Sequence, residues 1–208
     1  MLRHEKERSG ALGKRPFTMI AGAMALFAAV AGSSGCSSGK PTELVSIREL
    51  PVVDLEGVVT RSGVAFDTNV TSDGNGSIRI HATEPTTVRL YELTDPDVED
   101  ARLIYRARVR TENVEGQAYL EMWCRFPGHG EFFSRALETS LSGTIEWTSQ
   151  EPPFFLRKGQ NPDLVKLNVV VEGKGTIWID DIEVVRATFR LDPITVAPTS
   201  SHDRGEPR

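Results

Sequence analysis

From residue 43 to residue 187 the chain alternates apolar and polar positions with a period of two. Ala101, Leu103, Tyr105, Ala107 and Val109 take turns with Arg102, Ile104, Arg106, Arg108 and Arg110. Ala118, Leu120, Met122, Cys124 and Phe126 do the same with Gln117, Tyr119, Glu121, Trp123 and Arg125. Val165, Leu167, Val169 and Val171 are interleaved with Lys166 and Asn168. A strand sends successive side chains to opposite faces, so this period predicts strands with one face turned inward. Further strands are predicted at 44–49, 57–66, 77–82, 86–93, 131–138, 144–149 and 176–186. Turn-forming clusters separate them: SDGNGS at 72–77, DPDVED at 95–100, ENVEG at 112–116, FPGHGE at 126–131 and EGKG at 172–175. No window of 12 or more residues carries the period of an amphipathic helix. The expected fold is all-β, an antiparallel β-sandwich or jelly roll.

The first 35 residues break this pattern. Arg3, Lys6, Arg8, Lys14 and Arg15 stand against Glu5 and Glu7, and an uncharged run rich in Ala, Met and Phe follows from Phe17 to Gly32. A basic stretch before a short apolar one is an export signal rather than a membrane span. Ser33-Ser34-Gly35-Cys36 then resembles a bacterial lipoprotein processing site, although Ser33 stands where Leu or a similar residue is usual. The resemblance implies lipidation of Cys36 and a lipid anchor in a membrane. With Ser37 after the Cys, it implies the outer membrane. The alternatives are an ordinary cleaved signal with Cys36 near the new end, or an uncleaved anchor. The expected organisation is a signal at 1–35, a polar tether at 36–42, one domain at 43–190 and a disordered tail rich in Pro, Ser and charge at 191–208.

Composition narrows the function classes. The net charge is -5, and without the basic first 35 residues it becomes -8. No cluster of Lys and Arg lies beyond residue 16, so nucleic acid is not an expected partner. Only two cysteines occur, Cys36 and Cys124, so a disulfide framework is not expected and stability must come from a core. Cys124 falls on the apolar side of its strand and is read as an inert buried thiol.

Four stretches resemble carbohydrate-binding modules with the galactose-binding-like jelly-roll fold: SDGNGSIRIHA (72–82), YRARVRTENVEGQAYLEMW (105–123), GTIEWTSQEPPFFL (143–156) and GKGTIWIDDIEVVR (173–186). They look like that family's Asp-Gly strand, its long central hairpin, its Gly-Thr…Trp strand and its closing strand. The resemblance implies a non-catalytic module that binds a glycan, displayed on the cell envelope. A structural protein docking to another envelope protein is the competing class, and a polysaccharide-cleaving enzyme a third. The family often holds a structural calcium between its first and last strands, which implies Asp180, with Glu56 or Asp54 in VVDLEG as the partner at the domain start. A salt bridge or hydrogen bond at Asp180 is the alternative.

One mixed strand face carries the candidate chemistry. Tyr119, Glu121, Trp123 and Arg125 share a face opposite a uniformly apolar one. Rings cover the apolar faces of sugars while charged groups meet their hydroxyls, so these four are the expected ligand contacts. The alternative is that loop 151–163 covers this face and the rings are packing residues. Arg102, Arg106, Arg108 and Arg110 are expected to be a solvated, paired face. Trp147 and Trp178 are expected in the core.

Overall fold

The computed structural model describes residues 43–188. The signal, Cys36, the tether and the C-terminal tail lie outside the described residues. Ten strands follow one another: β1 Leu44–Leu50, β2 Val64–Asp67, β3 Ser77–Ala82, β4 Thr86–Thr94, β5 Ala101–Phe126, β6 Gly130–Arg135, β7 Leu141–Gln150, β8 Pro153–Leu156, β9 Leu164–Val171 and β10 Lys174–Thr188. The helical content described is one 3-10 turn, Leu137–Thr139. Among the described residues no helix is long and apolar enough to cross a membrane.

Two long runs of chain organise the sheet. β5 lies antiparallel to β9 from Arg125↔Leu164 to Ala118↔Val171. It then lies antiparallel to β10 from Glu115↔Lys174 to Ala101↔Thr188. Along the outer edge of β5 come β8, β7 and β6 in turn. Along the outer edge of the β9–β10 run come β4, β3 and β1, and β2 pairs with β3. All these pairs are antiparallel.

The ribbon of β5 and β9–β10 is creased in its middle. Asn113 and Gly116 have positive φ there, at 51° and 89°. A Cβ on Gly173 would lie 1.8 Å from the Glu115 carbonyl oxygen, so only glycine lets the two backbones come this close. The crease lets the two wings of the curled sheet face each other. Leu103, Tyr105, Val109, Ile177 and Ile179 from one wing join Leu90, Leu120, Met122, Leu167 and Val169 from the other in a single buried cluster. Each such side chain stabilises the fold by about 1.5–3 kcal/mol through apolar burial.

The expected all-β sandwich is the fold observed, with local corrections. The segment ENVEG, expected as a hairpin turn, is a bent part of one continuous 26-residue strand. β7 bridges both of its halves, from Ala107↔Gln150 to Ala118↔Leu141, and holds them in line. The strand expected at 57–66 is a loop for most of its length: Val64–Asp67 form a ladder with β3, while Val59 and Thr60 give only isolated backbone bonds to Leu90 and Arg89 of β4. β8 was expected as loop: Pro152 and Pro153 discourage a central strand, but a four-residue edge strand tolerates them.

Candidate functional site

β5 presents Tyr119, Glu121, Trp123 and Arg125 between β9 and β6. Register places Asn168 and Arg135 on either side of Glu121, and Lys166 and Phe133 on either side of Trp123. Paired residues share a face, so these side chains meet.

Glu121 is the hub, with 3% exposure. Its carboxylate accepts hydrogen bonds from Trp123 Nε1 at 2.6 Å, from Arg135 Nε at 2.6 Å and from Asn168 Nδ2 at 3.0 Å. Burial pushes its pKa up, but the donors Asn168, Trp123 and Arg135 outweigh burial and hold it below the ordinary glutamate value. Glu121 is therefore ionised, and its oxygens are engaged. It orients the indole of Trp123 and the guanidinium of Arg135.

The exposed part of this face is aromatic. The Trp123 and Phe133 rings lie 5.0 Å apart at a 44° tilt. Arg135 places its guanidinium 4.3 Å from the Phe133 centroid. Phe133 is half exposed, while Trp123 is partly covered. Tyr119 is buried, and its hydroxyl donates to Glu172 Oε1 at 2.7 Å. Burial, reinforced by Glu172, raises that phenol to about 12. Arg125 forms a two-pronged pair with Asp163 at 2.8 and 3.2 Å, and Lys166 pairs with Glu131 at 2.6 Å. Of the four expected contacts, then, Trp123 and Arg125 face outward, whereas Tyr119 and Glu121 are closed in and support the others. Loop 151–163 reaches this face through Asp163. Sequence reasoning missed Phe133 and Arg135. The signal was the alternation within GEFFSR, an edge strand that lies antiparallel to EMWCRF.

The second cluster is at a β-bulge in β10. Asp181 has φ 50°, and the β10–β5 register shifts between Asp180 and Glu183. There β10 changes neighbour, from β3 at Ile179 to β1 at Ile182. The loop before β3 closes over the gap: Asp180 Oδ2 accepts from the Ser72 amide at 2.8 Å and from Thr71 Oγ1 at 3.4 Å. Asp180 Oδ1 accepts from the Asp181 amide at 2.8 Å. Asp180 is 1% exposed, while Asp73 and Asp181 are open to solvent. One carboxylate oxygen from each of the three lies within 4.8 Å of the others. Burial first, then the charges of Asp73 and Asp181, outweigh the backbone donors Ser72 and Asp181 and raise the pKa of Asp180. Three converging carboxylate oxygens suit a hard cation that takes six to eight oxygens. Glu56 is not among them. Its amide donates to Asp54 Oδ1, and it lines a different cleft with Arg48 and Tyr91. The structure brings Asp73 to Asp180 where the sequence suggested Glu56, because the β2–β3 loop folds onto the bulge.

The remaining candidates are structural. Arg106 pairs with Glu151 and Glu183, Arg110 pairs with Glu146, and Arg108 donates to the Trp147 carbonyl. Trp178 is buried on the outer side of β10, donating to Asp67 with Arg110 5.0 Å over its ring. It lies outside the main core cluster, and Trp147 is only partly buried. Cys124 is fully buried, and burial raises its thiol to about 12, which makes it unreactive.

No protein-family model matches the sequence, and no curated protein matches it. Solved structures do. The N-terminal CBM22-1–CBM22-2 tandem domain from Paenibacillus barcinonensis Xyn10C aligns at TM-score 0.51 and 13% identity, over 78% of this chain and 50% of that one. The CBM22-1–GH10 modules of Clostridium thermocellum endo-1,4-beta-D-xylanase 10B, complexed with xylohexaose, align at 0.51 and 11%, over 68% of this chain and 28% of that one. TmCBM61 in complex with beta-1,4-galactotriose aligns at 0.41 and 14%, over 70% and 88%. The domain has the fold of β-sandwich carbohydrate-binding modules. At these identities the likeness speaks for architecture alone.

Proposed function

We propose that the protein is a non-catalytic carbohydrate-binding module of the cell envelope, which binds a glycan on the outer face of β6, β5 and β9. The observation that carries this reading is the Trp123–Phe133 ring pair, held in place by the buried Glu121 and its partner Arg135. Phe133 is half exposed and gives a sugar ring an apolar surface. Arg135 uses Nε for Glu121, and a guanidinium has further N–H donors to offer hydroxyls. Because Glu121 holds the Trp123 indole and Arg135 lies over the Phe133 ring beforehand, little side-chain freedom is lost on binding.

In the same reading Asp73, Asp180 and Asp181 hold a calcium ion that ties the β2–β3 loop to the bulge of β10. Bound calcium would neutralise the three carboxylates and so fasten the closing strand. A lipid on Cys36 and the tether after it hold the domain to a membrane, the outer one by the residue that follows the Cys. This part rests on the sequence pattern alone.

The test is a glycan array probed with the wild-type chain and with Phe133→Ala. The wild type should bind a set of related glycans. The variant should bind them about tenfold or more weakly, as expected for loss of one stacking ring, with an unchanged melting temperature. An array with no bound glycan removes the reading.

A further inference from the structure

The ring pair is one end of a longer aromatic surface. The chain has nine phenylalanines, and five of them, Phe126, Phe132, Phe133, Phe154 and Phe155, gather on one edge of the sandwich. They come from the consecutive strands β5 and β6 and from β8, which the 3-10 turn and β7 separate from that pair in the chain. A cleft of about 900 Å³ runs between β6 with its 3-10 turn and the β7–β8 connection, with Phe133 and Arg135 on one wall and Ser149 and Glu151 on the other. A second, of about 790 Å³, opens beyond it among Phe126, His129, Phe132, Arg157 and Asn161. Phe154 and Phe155 line both, so the clefts adjoin. Phe126 links the rings, 6.0 Å from Phe132 and 6.1 Å from Phe154.

Consecutive strand residues point to opposite faces, so of Phe132 and Phe133 one would ordinarily be buried. Here both are about half exposed, as is Phe155. Apolar side chains kept at a surface in a contiguous group mark a binding site.

We infer that a glycan bound at the Trp123–Phe133 pair continues through the seam between β6 and β8 onto the Phe132–Phe155 cleft, so that the protein grips an extended run of sugars rather than a single one. This rests on the function proposed above and extends that site. Continuity favours a glycan as the occupant: Phe133 belongs both to the ring pair and to the first cleft. So does the lining, where rings stand beside hydrogen-bonding groups, Arg135, Ser149 and Glu151 in one cleft and His129, Arg157 and Asn161 in the other. Polyhydroxylated rings require that mixture, and each cleft is of a size that takes a bound small molecule.

The experiment is calorimetric titration of the full chain with β-1,4-linked xylo- and galacto-oligosaccharides of three and six sugars. The wild type should bind the six-sugar member of a series at least about tenfold more tightly than the three-sugar member. Phe132→Ala/Phe155→Ala should bring the six-sugar affinity down to that of the three-sugar ligand and leave the latter unchanged. Phe132→Tyr/Phe155→Tyr, which keeps both rings, should preserve the length preference and so separates ring loss from misfolding. Equal affinity for both lengths, or a length preference that survives ring removal, overturns the inference and leaves the short site standing. The second result would mean that the additional sugars contact another part of the surface. No binding of either series by the wild type overturns the parent reading and this one together.

Discussion

Glu121 and Asp180 are both carboxylates held inside strands, 3% and 1% exposed, and their surroundings drive them in opposite directions. Glu121 is met by three side-chain donors, one of them a guanidinium, so its charge is compensated and its pKa falls. Asp180 is met by two backbone amides and a hydroxyl, while Asp73 and Asp181 bring further negative charge, so its pKa rises. Burial alone therefore says little about a carboxylate. A cation already built into the neighbouring strand makes Glu121 a self-sufficient brace, whereas the Asp180 cluster is short of positive charge and suits an added cation.

Three measurements would break or sharpen this contrast. The largest effect is expected from Glu121→Ala, which strands a buried Asn168 amide and releases Trp123 and Arg135. It should cost about 3 kcal/mol in urea unfolding and weaken glycan binding as well. A loss below about 1 kcal/mol would mean that Glu121 is not the brace described. Next comes calcium. With the ion at a hundredfold excess over its Kd, the wild type should gain about 2.7 kcal/mol. Chelator should remove that gain, and Asp180→Ala should be indifferent to both. A melting curve that chelator leaves unchanged would end the calcium reading.

The smallest effect is in pH. Glu121 has a lowered folded pKa, so its contribution is present above the ordinary value of 4.5 and is lost as pH falls through the lower folded one. Asp180 has a raised folded pKa, so without metal its charge costs stability. That cost is absent below the ordinary value of 3.8 and grows as pH rises through the folded one. In chelator, the stability advantage of the wild type over Asp180→Ala should therefore shrink as pH is raised from 3.8. Its advantage over Glu121→Ala should shrink as pH is lowered below 4.5. Parallel pH profiles for the two variants would contradict the opposition.

Much of the site was legible only in pieces. The alternation around residue 121 placed Glu121 and Trp123 on one side chain row, but it could not say which of four row members would be closed in. That depended on Glu172 reaching Tyr119 and on Arg135 reaching Glu121, contacts that span 53 and 14 positions. The Asp-Asp pair in GTIWIDDIEVV marked a special place in a strand, yet not the bulge itself. Glu56 was a plausible partner by order along the chain, but the chain brings Asp73 instead through the loop that caps Asp180. The long central strand was misread as a hairpin, because ENVEG has turn chemistry and nothing local reveals that β7 spans the bend.

The sequence by itself determined the all-β class, the inward and outward rows of the long strands and the inert Cys124, because these follow from side-chain alternation and polarity within a few neighbouring residues. Tertiary structure decided the rest: the crease at Gly116 and Gly173, the partner change at Asp180, the ring pair of Trp123 with Phe133, and the gathering of five phenylalanines on one edge. Each of these is a meeting between strands, and register between strands is set by how the whole core packs rather than by any one segment.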